Sequence, residues 1–307
     1  MDVFLRRAAG IMDKGTGTGH IAALVTIVIW GTTFISTKIL LVGLSPIEIL
    51  FFRFLLGLLV LIIVYPKRLR LKNGKQEFTF AAAGLCGICL YYLLENIALT
   101  YTMASNVGVI ISVAPFFTAV LSHICMKTEE KLKAQFFVGF FVAMVGICFI
   151  SFNGQELELN PIGDILAIVA ALVWAVYSLL TRKISSYGHN TIQATRRIFT
   201  YGIIFMFPFL FVCDFDLTVQ KFVKPEYILD LIYLGIGASA LCFVTWNYAV
   251  KVLGAVRTSV YIYMVPVITV VTSAVVLKEK ITAMAAIGTG LTLIGLLLSE
   301  SKFVKKH

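Results

Sequence analysis

The chain has 307 residues, of which 59% are hydrophobic and only 14% are charged, and its formal net charge is +10. Soluble domains carry about 45–50% apolar and about 25% charged residues, so this composition excludes an ordinary water-soluble protein. The positive charge requires no nucleic-acid partner, because Lys and Arg beside an anionic lipid surface account for it.

Ten predicted transmembrane helices follow one another along the chain. A helix needs about 20 mainly apolar residues to cross a bilayer. The predicted spans cover residues 20–41, 47–65, 78–101, 106–126, 134–152, 164–181, 191–212, 227–250, 257–277 and 282–299. We therefore predict an all-α polytopic membrane protein with ten transmembrane helices.

The remaining segments divide the chain into predicted domains. Residues 1–19 lack the apolar stretch of a signal peptide and are predicted to form a cytosolic tail. The domains that follow are a five-helix repeat at 20–152, a linker loop at 153–163, a second five-helix repeat at 164–299 and a basic cytosolic tail at 300–307. Lys and Arg concentrate in alternate loops, which predicts a multi-pass protein of the plasma (inner) membrane with both termini in the cytoplasm.

Two short motifs occur once in each half of the chain. "WGTTFISTK" begins at Trp30, and "WAVYSLLTR" begins at Trp174. The same spacing aligns Arg53 with Arg197. The two halves are therefore predicted to be copies of one structural unit.

A longer stretch of the first half also recurs in the second. "NIALTYTMASNVGVIISVAP" aligns with "NYAVKVLGAVRTSVYIYMVP", which pairs Asn96 with Asn247 and Pro115 with Pro266. Because five is odd, the second set of five helices enters the membrane from the opposite side. Inverted repeats of this kind are typical of secondary transporters, whose substrate path lies near the midplane between the halves.

The same segments resemble a known family. "IWGTTFISTKILLVGLSPIEILFFRFLLGLLVLI" is similar to the first two helices of EamA-type members of the drug/metabolite transporter superfamily, and "NIALTYTMASNVGVIISVAPFFTAVLSHICMKTEEKL" resembles the end of helix 3, all of helix 4 and the acidic loop between helices 4 and 5. The resemblance extends over nearly the whole chain. It implies ten helices, a central cavity and alternating access, usually for export of amino acids, nucleobases or other small metabolites, and it leaves the cargo open.

Polar and aromatic residues recur at helical spacing on one face of helix 1 and of helix 6. Such a face suits a water-filled cavity, although hydroxyl groups that bond their own helix and Trp residues that anchor packing produce the same pattern. We predict a cavity that continues onto helices 3, 8 and 9. Its predicted residues are Trp30, Thr33, Thr37, Tyr91, Glu95, Asn96, Trp174, Tyr177, Ser178, Trp246, Asn247 and Tyr263.

Glu95 is a carboxylic acid inside the third predicted span, where a charge costs about 2.5–3.5 kcal/mol on insertion scales. The second repeat has Trp246 at the equivalent position, so the fold itself does not require the acid. Three interpretations remain open. Glu95 binds a substrate ammonium group or a coupling proton, it pairs with Lys38 or Arg53, or it is a neutral acid bonded to a helix carbonyl.

Five residues are predicted to have gating or structural roles. Pro115 and Pro266 lie in the middle of spans, where proline lacks the N–H that would bond the carbonyl four residues back, so a bend is expected in each half. Arg53 and Arg197 are equivalent in the repeats, which favours a role that the halves share. Lys38 lies near the end of the first span and is a candidate for an ion pair.

The sequence predicts a secondary active transporter that exports a small metabolite, such as an amino acid or a related solute, by alternating access. A multidrug exporter of the same fold is the nearest alternative. A membrane-embedded enzyme is a remote one, because the four His residues are scattered and no nucleophile–base or metal-ligand spacing occurs. We expect no cofactor and no metal. The expected partners are a small-molecule substrate and the lipid bilayer, with protons as a candidate coupling ion and a monomer as the default state.

Overall fold

The computed structural model describes residues 2–102, 104–125, 134–151, 160–213, 215–216, 224–276 and 282–300. All secondary structure in these ranges is helical. The helices of the first half are α1 (Asp2–Leu40), α2 (Pro46–Val64), α3 (Gly74–Gly84), a π-helical segment (Leu85–Leu90), α4 (Tyr91–Tyr101), α5 (Ala104–Ile111), α6 (Ala114–Cys125) and α7 (Ala134–Ser151).

The second half has a similar order of elements. Its helices are α8 (Pro161–Ser185), α9 (Thr191–Val212), α10 (Pro225–Ile232), a second π-helical segment (Tyr233–Leu241), α11 (Cys242–Leu253), α12 (Ala255–Ser259), a 3₁₀ turn (Val260–Tyr263), α13 (Met264–Val276) and α14 (Ala283–Glu300). Each half thus contains a long helix with a π-helical segment inside it.

Within the described residues, seven helical segments are long and apolar enough to cross a membrane: Thr16–Thr37, Pro46–Val64, Gly74–Tyr101, Val107–Cys125, Pro161–Ser185, Thr191–Val212 and Pro225–Leu253. Three shorter apolar helices lie at Ala134–Ile150, Ala255–Ile268 and Ala283–Ser299. Every predicted span overlaps one of these helices. The chain is accordingly a multi-pass helical membrane protein, and the count of ten spans stays a prediction.

The first helix is longer than expected, because α1 begins at Asp2 and includes the residues predicted as a cytosolic tail. The start of its apolar part packs against α11. The Thr18 hydroxyl lies 3.0 Å from the Tyr248 hydroxyl, and a Cβ on Gly19 would lie 3.0 Å from Cγ of Leu253. The small residues of this polar stretch permit that close approach.

Short polar residues determine where helices begin. At the start of α2, the Ser45 backbone N–H donates to Oε2 of Glu48 at 2.7 Å, and the Glu48 N–H donates back to the Ser45 hydroxyl at 3.4 Å. Pro46 occupies the first turn, where its missing N–H has no cost. At the start of α9, Oδ1 of Asn190 accepts the N–H of Ile192 at 2.9 Å.

The π-helical segments occupy equivalent places in the two halves. The first joins α3 to α4 within the continuous helix Gly74–Tyr101, and the second joins α10 to α11 within Pro225–Leu253. Such segments widen the helix and are frequent at functional sites. They directly precede Tyr91 and Cys242, so they set the direction in which the following side chains point.

The backbone is irregular just before Pro115 and Pro266, the two prolines that are equivalent in the repeats. α5 ends at Ile111, Ser112 and Val113 form a turn, and α6 begins one residue before Pro115. In the second half a 3₁₀ turn at Val260–Tyr263 precedes α13, which contains Pro266. The backbone is therefore interrupted at the two places where a bend was expected.

The halves pack against each other through matched pairs of helices. α1 contacts α11 while α8 contacts α4, and α2 contacts the second π-helical segment while α9 contacts the first. α7 and α14 form the remaining pair. Their backbones approach closely at glycines. A Cβ on Gly146 would lie 2.6 Å from the Gly288 carbonyl oxygen, and a Cβ on Gly288 would lie 2.6 Å from the Gly146 carbonyl oxygen. Exchanging the halves leaves this pattern of contacts unchanged.

Candidate functional site

A cavity of about 520 Å³, its open mouth included, lies between the two halves. We call it the first cavity. Its walls come from α1, α4, α5 and α8 and from the irregular segment that leads into α13. The lining residues are Trp30, Thr33, Tyr91, Tyr92, Glu95, Gly108, Ile111, Ser112, Trp174, Ile262 and Val265.

Aromatic rings form one wall of the first cavity. The rings of Trp30 and Trp174, the first residues of the repeated motifs, meet edge to face with centroids 5.3 Å apart. Trp30 also donates its Nε1–H to the Ala238 carbonyl at 2.9 Å. Trp246 lies behind this pair, 5.1 Å from Trp30 and fully buried. The tryptophans of the two halves therefore pack against each other at the base of the cavity.

Glu95 is the acidic residue in the wall of the first cavity, and it is only 7% exposed. The Tyr91 hydroxyl bonds to its carboxylate, and the charge of Arg53 acts on it from nearby. Among the residues that the structure describes, Oε2 of Glu95 has no hydrogen-bond partner. A buried carboxylate oxygen without a hydrogen-bond partner among the described residues therefore lies in the wall of the cavity.

Arg53 lies behind the cavity wall. It is 2% exposed, its Nε donates to the Ser239 hydroxyl at 3.1 Å, and its guanidinium carbon lies 4.5 Å from the centre of the Tyr92 ring. No described residue accepts a hydrogen bond from its Nη2. Arg53 therefore holds Tyr92 and partly balances the charge of Glu95 without lining the cavity itself. The Lys38 side chain, the other predicted partner of Glu95, lies outside the described side chains.

Arg197, the repeat equivalent of Arg53, has a different environment. Its Nε donates to Oε1 of Glu77 at 2.9 Å, and its Nη2 and the Tyr201 hydroxyl donate to the same oxygen. The Arg197 side chain is 38% exposed. The sequence analysis did not single out Glu77 as a functional residue. A signal was available, because Glu77 follows a run of basic residues, and an acidic residue in such a place is a natural ion-pair partner.

Buried polar residues of the second half form a chain of hydrogen bonds. The Tyr177 hydroxyl donates to Oδ1 of Asn247 at 2.9 Å, and Nδ2 of Asn247 donates to the Thr195 hydroxyl at 3.0 Å. Tyr177 and Thr195 are fully buried. We call these three residues the polar chain. It links α8, α11 and α9.

A second cavity of about 300 Å³, open space included, lies at the ends of α8 and α11 and the start of α9. Its lining residues are Thr181, Ile184, Ser185, His189, Thr191, Ala194, Ile198, Asn247 and Lys251. Burial and the charge of Lys72 lower the pKa of His189, which favours its neutral form. Lys251 then supplies the positive charge of this cavity.

Basic side chains join helix ends around the second cavity. Arg182 donates to the Lys251 carbonyl at 3.0 Å, which caps the end of α11. Arg196 donates to the carbonyls of Tyr65 and Lys67 beyond α2, both at 2.6 Å. The ends of three helices and the start of α9 therefore meet in a basic cluster at one end of the bundle.

Several predicted cavity residues do not line the first cavity. Thr37, Ser178, Trp246 and Tyr263 are buried in the packing between helices. Asn96 donates its Nδ2 to the Pro46 carbonyl at 3.2 Å and so ties α4 to the start of α2. The structure brings together Trp30, Thr33, Tyr91, Glu95 and Trp174 at the first cavity and places Tyr177 and Asn247 in the polar chain.

Some lining residues were missed by the sequence analysis. Ile111 and Ser112 lie at the break before Pro115, and Ile262 and Val265 lie at the equivalent place before Pro266. The available signal was that Ile111 and Ile262 pair in the repeat alignment and stand four residues before a proline. Over the described part of the chain, no three His, Cys, Asp or Glu residues lie close enough together to hold a metal ion.

Comparison with known proteins gives a consistent family match. The profile of the EamA-like transporter family matches residues 17–152 and again residues 161–300. A protein of Archaeoglobus fulgidus described as an uncharacterized transporter is 31% identical over 290 residues, which cover 92% of this chain and 97% of that protein. A probable terminal-alkyne amino-acid exporter of Streptantibioticus cattleyicolor is 23% identical over 278 residues, covering 90% of this chain and 91% of that protein.

The fold is also found among solved structures. A crystal structure matches with a TM-score of 0.74 over 95% of this chain and 99% of that chain. The two sequences are 19% identical, so the match shows a shared fold.

Proposed function

The chain belongs to the EamA-like transporter family, and we propose that it exports a small metabolite with an amino group, such as an amino acid or a related solute. Transport proceeds by alternating access, with the first cavity as the substrate site. The observation that carries this proposal is the buried Glu95 carboxylate in the wall of a cavity built by both halves, with one oxygen that has no hydrogen-bond partner among the described residues.

The chemistry of the first cavity suits an ammonium group. A carboxylate in a poorly hydrated site attracts a cation more strongly than it does in water. The faces of Trp30, Trp174 and Tyr91 add cation–π attraction at short range. The relative described as a probable amino-acid exporter supports the same substrate class.

The proposed topology places the basic cluster in the cytoplasm and relates the halves as inverted repeats. The positive-inside rule supports this orientation, because Arg182, Arg196 and Lys251 lie together at one end of the bundle. The exchange symmetry of the helix contacts supports the repeat. The protein is then a carrier of the plasma membrane with both termini in the cytoplasm, and Glu95 lies nearer the outer side.

The test is efflux from proteoliposomes loaded with a defined mixture of amino acids, amines and nucleobases, with each solute measured by mass spectrometry. We expect selective loss of one group of amine-containing solutes, and this loss should depend on Glu95. Loss of cationic dyes with no selective loss of a metabolite would contradict the proposal. That result would favour a multidrug exporter, for which the aromatic wall of the cavity is the supporting feature.

A further inference from the structure

The first cavity is lined unequally by the two halves. The residues from the first half include Thr33, Tyr91, Tyr92 and Glu95. The repeat alignment pairs them with Tyr177, Cys242, Phe243 and Trp246. Each of these four counterparts is 0% exposed. The positions that open onto a cavity in one half are therefore filled by closely packed side chains in the other.

The polar chain crosses this filled region. Tyr177 packs against Trp174 with ring centroids 5.0 Å apart, and Trp174 lines the first cavity. The hydroxyl of Tyr177 bonds to Asn247, which lines the second cavity. Tyr177 thus lies between Trp174 in the wall of the first cavity and Asn247 in the wall of the second cavity.

Within the described residues of the first half, the counterparts of the polar chain do not bond to one another. Thr33, the counterpart of Tyr177, donates its hydroxyl to the carbonyl of Trp30 in its own helix at 2.8 Å. Asn96 bonds to the Pro46 carbonyl. The counterpart of Thr195 is Phe51, which has no hydroxyl to accept a hydrogen bond. The cross-helix chain is therefore confined to the half that is closed.

We propose that Tyr177, Asn247 and Thr195 form the gate that separates the two cavities, and that the second cavity is the vestibule through which substrate enters from the basic end. This inference rests on the proposed transport function and adds its gate and entry site. When the polar chain breaks, α8 separates from α9 and α11, and the second cavity extends to the Trp30–Trp174 pair. The first cavity closes in the same step, because Trp174, which lines it, packs against Tyr177 of the gate and moves with α8.

The gate is testable by cysteine labelling, which requires no knowledge of the substrate. Two reporters are placed in the full chain after its six native cysteines have been replaced. Ser178→Cys reports on the closed region, where Ser178 is 0% exposed, and Thr33→Cys reports on the first cavity. A membrane-impermeant maleimide is applied, and labelling rates are compared with and without Tyr177→Phe.

We expect Tyr177→Phe to raise the labelling rate of Ser178→Cys about fivefold, the population shift that the loss of one ordinary hydrogen bond produces. The labelling rate of Thr33→Cys should fall at the same time. Thr195→Val, which removes the acceptor for Asn247 and keeps the side-chain shape, should have the same two effects. The matched control is Tyr187→Phe, whose hydroxyl lies 3.0 Å from that of Thr79 outside the region between the cavities.

A rise at both reporters would mean general loosening of the helices and would overturn the gate. Unchanged rates in both Tyr177→Phe and Thr195→Val, with melting temperatures near that of the parent, would overturn it as well. Opposite changes at the two reporters would support the gate even if no transported solute is found, in which case the proposed substrate class alone fails.

Discussion

The guanidinium carbon of Arg53 lies 4.5 Å from the centre of the Tyr92 ring, and that ring lines the first cavity beside Glu95. A buried cation thus supports one side of the cavity wall while its charge acts on the acid in the wall. The arrangement places a positive charge near Glu95 inside the helix bundle, while one carboxylate oxygen has no hydrogen-bond partner among the described residues.

Replacing Glu95 by Gln should reduce efflux of an amine-containing substrate about tenfold or more. Hydrogen bonds to a charged group contribute about 1.5–3 kcal/mol, and Gln keeps the shape of the side chain but removes the charge. Initial efflux rates over a range of internal substrate concentrations measure the effect. Glu226→Gln, at an exposed acid at the start of α10, is the control and should transport normally. Normal transport by Glu95→Gln with unchanged pH dependence would remove Glu95 from the mechanism.

Replacing Arg53 by Met should lower the free energy of unfolding by about 1–3 kcal/mol. The change removes the bond to Ser239 and leaves the Glu95 carboxylate buried without a nearby positive charge. Thermal unfolding of the purified protein in detergent measures the loss. Arg70→Met alters an exposed arginine and serves as the control. Equal melting temperatures for the two variants would show that the guanidinium contributes nothing to the fold.

Replacing Gly146 by Ala should destabilise the pair of helices α7 and α14 by about 1–3 kcal/mol. The added Cβ would lie 2.5 Å from the backbone nitrogen of Thr292, so the helices would have to separate. Gly290→Ala on α14 is the matched control, since a Cβ there meets nothing within 4 Å. The control should be neutral or stabilising by up to about 1 kcal/mol, because alanine favours helix more than glycine. Changes of the same sign in both melting temperatures would contradict close packing at Gly146.

Replacing Pro115 by Ala should slow transport about tenfold and change stability little. Alanine restores a backbone N–H that can bond the Ile111 carbonyl, and this bond would straighten the break between α5 and α6 beside the first cavity. The measurement is the efflux rate at saturating substrate. Pro208→Ala makes the same change inside α9, at an exposed position away from both cavities. If both variants transport at the same rate, the break before Pro115 has no gating role.

Much of the architecture follows from local sequence. Runs of about 20 apolar residues form helices because a bilayer leaves the backbone no other way to satisfy its hydrogen bonds. For the same reason, each predicted span overlaps a helix of the structure. The break before Pro115 was predictable as well, since proline lacks the N–H that would bond Ile111. The duplicated motifs at Trp30 and Trp174 revealed the two copies, and the structure brings these residues into contact.

The tertiary structure alone decided which of the repeated residues face a cavity. Arg53 and Arg197 are equivalent in sequence, yet one is buried behind Tyr92 and the other pairs with Glu77 near the surface. Helical periodicity predicts only which residues share a face of their helix. Whether that face meets a cavity or another helix depends on the partner helix and on the rotation that the π-helical segments introduce. By itself the sequence determined the helices, the two copies and the unusual acid at Glu95, because these are local or repeated patterns. Packing between distant helices decided that Tyr92 and Glu95 line a cavity while their counterparts Phe243 and Trp246 are fully buried.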